Sequence, residues 1–202
     1  MNRMKKMVLV MITLLLLTLT ACGENPYETA LNDIEARDYA SAYTEMQKIA
    51  NEDEKESVQL LLNCIFIESV GDGCVVLGEL PSRANEILYN PAAYNEDDET
   101  EQMNERLDEL LQLQKEINAE VLSEDLRETY DDYFDICANV KICLNDMYAL
   151  SFSGKEIDER HKEQVRGIAT DLNELAISLT RIEQKYDKAD LPEEILERFD
   201  LD

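Results

Sequence analysis

LRETYDDYFDICANVKICLNDM, residues 126–147, decides the fold. Leu126, Tyr130, Tyr133, Cys137, Val140, Leu144 and Met147 follow one another at alternating steps of four and three. That spacing lines them along a single stripe of an α-helix. Downstream, Val165, Ile168, Leu172, Leu175, Leu179, Ile182 and Tyr186 repeat the rhythm. Upstream, a helix from about Thr100 to Val121 carries Leu107, Leu110, Leu111, Ile117 and Val121. Apolar seams of this period wind gently left-handed, and short connections between them force an antiparallel bundle. Ser123-Glu124-Asp125 is placed to cap the middle helix, since a serine oxygen accepts from free amides and acids suit the helix dipole. Phe134, Ile136, Cys143 and Tyr148 form a second stripe on that helix, which predicts neighbours on two sides. Pro192 opens a short closing helix with Leu191, Ile195, Leu196 and Phe199 to dock.

Ahead of the bundle, strand-like alternation is absent, and six glycines and four prolines are all that punctuate the chain. Pro26 suits a helix start. A helix to about Arg37 then carries Ala30, Leu31 and Ile34, and the next buries Ala42, Tyr43, Met46 and Ile49. A third, with Leu61, Leu62, Ile65 and Ile67, is expected to stop at Gly71-Asp72-Gly73. The fourth holds Val75, Val76, Leu80, Ile87 and Leu88, kinked or restarted at Pro81. Ala30, Asp38-Tyr39 and Ala42 stand where a 34-residue helix-turn-helix repeat puts its small, turn and packing residues. Cys64, Gly71-Asp72 and Val76 follow one repeat later. In these positions residues 27–90 resemble tetratricopeptide repeats, which implies two helical hairpins. Tyr89-Asn90-Pro91 and the acidic run Glu96-Asp97-Asp98-Glu99 mark a linker over 91–99. The expected fold is all-α: two TPR-like hairpins, then an antiparallel bundle with heptad seams, with a short C-terminal helix, over 100–202.

The chain opens with Arg3, Lys5 and Lys6, an apolar run from Val8 to Leu19, and small residues before a cysteine. A positive start, a short apolar core and a small-residue cut site make a secretory signal peptide. Leu19-Thr20-Ala21-Cys22 resembles the lipobox of bacterial lipoproteins. The resemblance implies cleavage after residue 21, lipidation of Cys22, and a tether over 22–26. It places the protein outside the cytoplasm, held to the outer face of the cytoplasmic membrane or to an outer membrane by its lipid.

Charge narrows the partners. Nineteen basic residues face 45 acidic ones, a formal charge of −26, and removing the basic leader makes the chain more acidic still. Such a surface repels phosphate backbones, because nucleic-acid binding relies on cations displacing counterions. No nucleic-acid partner is expected. Four cysteines remain beside Cys22. Cys137 and Cys143 on one helix rise about 9 Å apart, beyond bridging distance. Cys64 and Cys74 straddle the glycine turn awkwardly. Buried free thiols are the expectation, with bridges between the two halves still open.

Catalytic patterns are thin. His161 is the single histidine and sits between Arg160 and Lys162, which suggests an exposed helix residue. One histidine falls short of a dimetal bundle or a catalytic zinc set. Ser153-Gly154-Lys155 lacks the upstream glycine of a phosphate loop. The run at 96–99 has no glycine bend for calcium. Carboxylate pairs such as Asp131-Asp132 and Glu193-Glu194 are adjacent on helices and point apart. The expectation is therefore a non-enzymatic module without metal or cofactor, binding or scaffolding a protein. The alternative is a ligand-binding accessory lipoprotein of a transporter or sensor. Tyr89 and Tyr94 beside the linker are the candidate partner contacts, since exposed aromatics anchor interfaces. An open groove or face would suit the first reading and an enclosed pocket the second.

Overall fold

The computed structural model describes residues 25–89, 98–153 and 158–201, with side chains at 80–89, 98–101, 103, 148 and 151–153 outside that set. Among the described residues it has seven α-helices: α1 Pro26–Glu35, α2 Tyr39–Met46, α3 Glu52–Tyr89, α4 Asp98–Glu116, α5 Arg127–Ser153, α6 Glu159–Glu183 and α7 Glu193–Phe199. No strand occurs among the described residues, and the protein is all-α. The chain forms two compact units that divide at Val58/Gln59, inside α3.

In the first unit, the side chain of Asn25 accepts from Tyr27 N at 3.2 Å, and Pro26 takes the opening position, where no amide is needed. Asp38 caps α2 by accepting from Ser41 N at 3.1 Å. The turn between them puts Arg37 at φ 60°. Fully buried Ala30 and Ala42 let α1 and α2 pack together. This is the first expected hairpin.

The second expected hairpin does not form. Gly71-Asp72-Gly73 makes no turn, and α3 runs unbroken through it and past Pro81 to Tyr89. Each glycine costs a helix about 1 kcal/mol relative to alanine, yet packing outweighs that cost here. Val70, Gly73 and Leu77 continue the buried face that begins at Leu61, Leu62 and Phe66. Gly73 has a specific neighbour: a Cβ there would lie 2.8 Å from Tyr133 Cζ and nearer still to its Oη. The missing side chain is what admits the tyrosine.

The heptad seam is the core of the second unit. Leu126, Tyr130, Tyr133, Cys137, Val140, Leu144 and Met147 are all buried, as are Val165, Leu172, Leu175 and Leu179 on α6. Helix α5 packs against both α4 and α6, and buried Phe134, Ile136 and Cys143 form its second stripe. Tyr148's side chain lies outside the described residues. The hydroxyl of Tyr130 donates to Ile117 O at 3.0 Å, while Lys141 pairs with Asp108. Rising numbers on α5 thus meet falling numbers on α4, so the two run antiparallel. Phe66 of α3 meets Tyr130 at 5.8 Å between centroids, and Tyr130 and Tyr133 each meet Phe134 edge-on. Ile195 of α7 and Leu191 before it are buried, as the closing helix requires.

Two local expectations change. The helix meant to reach Val121 ends at Glu116, and a 3-10 turn, Ala119–Val121, follows with Asn118 accepting from Glu120 N at 3.1 Å. Ser123 makes no side-chain cap. Instead buried Asn63 of α3 holds it twice, accepting from Ser123 N at 3.2 Å and donating to Ser123 Oγ at 2.8 Å. Burying that amide is tolerable because its hydrogen bonds are made. Gln59 adds a bond from Nε2 to Val121 O at 2.9 Å.

By length and composition, Glu52–Glu79 is apolar enough to cross a membrane, but half of its apolar window is buried inside the protein. That burial fits a core helix.

Candidate functional site

Two open grooves gather polar chemistry in the second unit. The first lies between α5 and α6, with a volume of about 340 Å³. Asp132, Asp135 and Asn139 come from α5; Asp171, Glu174 and Ser178 come from α6. The groove is also lined by buried Ile136, from the second stripe of α5, and Leu175, from the α6 seam. Heptad packing explains the layout, since residues flanking a seam three apart fall on its rim. Asp132 shows the electrostatic result. Partial burial raises its carboxyl above the ordinary 3.8, and repulsion from Glu128, Asp131, Asp135 and Asp171 raises it further.

The second groove, of about 380 Å³, runs beside α3 and the end of α6. Cys64, Ile67, Glu68, Gly71 and Asp72 recur at helical spacing along one face of α3, opposite Glu183, Tyr186, Asp187 and Lys188. Lys188 pairs with Glu68 at 3.1 Å. Tyr186 is held from outside the groove, its hydroxyl donating to Asp125 at 2.6 Å while Lys185 pairs with the same carboxylate at 2.5 Å. Burial works against ionising Asp125, but these two donors outweigh it and hold the carboxyl below its usual range. The Cys64 thiol donates to Tyr186 O at 3.7 Å, and burial pushes it up to about 11.

Cys64, Cys74, Cys137 and Cys143 are all free, with Cys74 only half-buried. Burial raises Cys74 to about 11 and Cys137 to about 12, so these thiols stay protonated and weakly nucleophilic at neutral pH.

His161 overturns its expected exposure. It is 4% exposed and bonded to Asp158, the cap of α6. Asp158 Oδ1 accepts from His161 N at 3.2 Å and lies 2.6 Å from the ring Nδ1. Those two contacts also lower the Asp158 carboxyl. The histidine completes a helix cap.

Among the described residues, no group of three or more His, Cys, Asp or Glu could hold a metal ion. Cys22 and Tyr94 lie outside the described residues. Tyr89 is the last residue of α3, and its side chain also lies outside them. Where the two candidate tyrosine side chains sit therefore lies outside the described residues. The carboxylates that do converge were missed because Asp131-Asp132 was weighed as an adjacent pair. The legible signal was the three-residue spacing of Asp132 with Asp135 and of Asp171 with Glu174, each beside a seam. Compared with family models, curated proteins and solved structures, the chain matches none.

Proposed function

We propose that this chain is an extracytoplasmic bacterial lipoprotein, anchored through Cys22, whose bundle docks a protein partner with a basic surface. One observation carries the docking reading. Asp132, Asp135, Asp171 and Glu174 face one another around an open groove, and Asp132 is disfavoured as a charge in the free chain. Arg and Lys side chains entering the groove would relieve that repulsion, and complementary fields speed encounter. The lipobox supplies the anchor, and the rest of the acidic surface keeps the body off anionic lipid heads. Tyr89 and Tyr94 are the proposed aromatic partner contacts. The work is binding or scaffolding, with no chemical step assigned to any residue.

A photo-cross-linking residue at Ser178, inside the groove, tests this in intact cells, with Glu163 on exposed α6 surface as control. Ser178 should capture a discrete protein that Asp135→Lys with Asp171→Lys abolishes. Equal capture from both positions, insensitive to charge reversal, refutes the groove as the docking site.

A further inference from the structure

We propose that Cys74 of α3 and Cys137 of α5 are a redox pair that closes a disulfide between the two helices, with the Tyr133 hydroxyl set to donate to the Cys137 sulfur. The oxidant is a disulfide-carrying exchange partner of the cell envelope. Its supply rests on the extracytoplasmic reading above, whereas the pairing rests on the packing of α3 against α5.

Gly73 lies against the tip of the Tyr133 ring, where a Cβ would stand 2.8 Å from Cζ and nearer still to the hydroxyl. Cys74 is the next residue, one Cα step of about 3.8 Å along α3. Cys137 lies one helical turn beyond Tyr133 on α5, is fully buried, and keeps its thiol beside the Tyr133 hydroxyl. The hydroxyl thus touches the α3 backbone next to one cysteine and the thiol of the other. A thiolate at Cys74 would be felt at both Cys137 and Tyr133, as expected of near neighbours in a dry core. The remaining cysteines are engaged elsewhere. The Cys64 thiol donates to Tyr186 O at 3.7 Å, and the Cys143 thiol lies 3.9 Å from Met147 Sδ.

The tyrosine hydroxyl is the second pointer. It is buried and makes no conventional hydrogen bond, a costly state for a polar group. Its company is the sulfur that must ionise for the bridge to close. Burial pushes the Cys137 thiol up to about 12, and the hydroxyl works against that rise. Half-buried Cys74 is the point of entry. Its thiolate attacks one sulfur of the donor disulfide, and the donor's other sulfur leaves as a thiolate and takes up a proton. Cys137 then gives its proton to water, attacks Cys74 Sγ, and expels the donor's remaining sulfur, which is protonated in turn. Two protein thiols become one disulfide while one donor disulfide becomes two thiols. The new bond closes a loop of about 60 residues, which removes freedom from the unfolded chain.

The test uses the full chain carrying Cys22→Ala, in nonionic detergent, so that neither lipid nor export enters the result. It is incubated at pH 8.5 in glutathione buffers of rising oxidised fraction, quenched with acid, alkylated, and cut with trypsin and glutamyl endopeptidase. Mass spectrometry should find the peptides of Cys74 and Cys137 linked, with Cys64 and Cys143 alkylated. The oxidised chain should melt about 5–15 °C above the reduced one. Neither bridge nor shift should appear in Cys74→Ser or Cys137→Ser, whose melts under reducing conditions report on folding. Tyr133→Phe should slow closure, read as decay of the glutathione adduct at Cys74, about 3–10-fold and leave the final bridge in place. An adduct at Cys74 that persists, a bridge to Cys64 or Cys143 instead, or an oxidised chain that melts below the reduced one would each overturn the pair. Closure as fast in Tyr133→Phe as in the parent would overturn the part given to the hydroxyl.

Discussion

Replacing Gly73 with alanine should destabilise the protein, although alanine is the best helix former and glycine nearly the worst. Four glycines of the two long helices give an internal comparison. At Gly71, Gly78 and Gly167 a new Cβ would meet nothing within 4 Å. Alanine at each should therefore gain up to about 1 kcal/mol from helix propensity. At Gly73 the same gain competes with a collision, because the methyl would sit 2.8 Å and 3.0 Å from the Cζ and Cε2 atoms of Tyr133, and against its hydroxyl. Contacts that short require the ring to move. Tyr133 is fully buried and packs edge-on against Phe134 at 4.9 Å, so it has nowhere cheap to go. Overpacking of this kind costs about 1–3 kcal/mol or more. Net destabilisation by Gly73→Ala of about 1–2 kcal/mol follows, opposite in sign to the other three. The hydroxyl itself supports the same reasoning. It is buried and makes no conventional hydrogen bond, the weakly polar Cys137 thiol being its company, and burial drives its ionisation far above the ordinary range. Tyr133→Phe should then cost little or stabilise, since it removes an unpaired polar group, and it should soften the Gly73→Ala penalty in a double-mutant cycle. Urea melts of the four alanine variants and the cycle decide the matter. Gly73→Ala as stable as Gly71→Ala would show that the close approach is not what places glycine there.

The seam makes a plainer prediction: Leu144→Ala should cost about 2–5 kcal/mol through lost burial and a cavity, while exposed Asn145→Ala should shift urea stability by under about 0.5 kcal/mol. Asp132→Asn should stabilise the free chain at pH 7 by about 0.3–0.5 kcal/mol, the scale of exposed like-charge pairs. The sign follows from the raised carboxyl: folded and unfolded chains are both protonated well below 3.8, the unfolded chain ionises first as pH rises, and the penalty is complete above the folded value. The gain should therefore vanish in melts as pH falls through that window, and a constant gain would point to packing instead. Cys22→Ala should abolish palmitate labelling and release the protein from membranes. Retention of the variant, with no labelled lipid in the parent, would remove the lipoprotein reading.

Periodicity made the bundle legible because burial there obeys one rule, and every residue of the 126–147 seam obeys it. The front hairpin was legible for a different reason. Asp38 and the two alanines are local signals, each acting within a few residues. What escaped were decisions made by distant partners. Gly71-Asp72-Gly73 reads as a breaker by propensity alone, and only a tyrosine 60 positions away in sequence explains a glycine inside the helix. Ser123 carries every mark of a cap, yet Asn63 claims it from another helix. His161 is a different case: its charged neighbours suggested exposure, yet its partner is local, the cap residue Asp158 three positions back. For Gly73 and Ser123, local chemistry favoured one state and a tertiary contact favoured another, and the contact was worth more.

Charge placement within the bundle bears on the docking face. Where α4 meets α5, the chain sets Lys141 against Asp108, and at the end of α6 it sets Lys185 against Asp125. Cross-helix pairs of opposite sign are thus available to this sequence and used. Between α5 and α6 it does the reverse, placing acids on both walls of one groove. A single lysine at position 135 or 171 would turn repulsion into attraction without touching the buried seam, because both aspartates are exposed. The gain in the isolated chain would be small, a few tenths of a kcal/mol, as for other surface pairs. Stability in isolation does not account for a like-charged rim. On the docking reading proposed above, a basic partner would turn the same four carboxylates into complementary contacts, and the substitutions that help the free chain would be the ones that harm the complex.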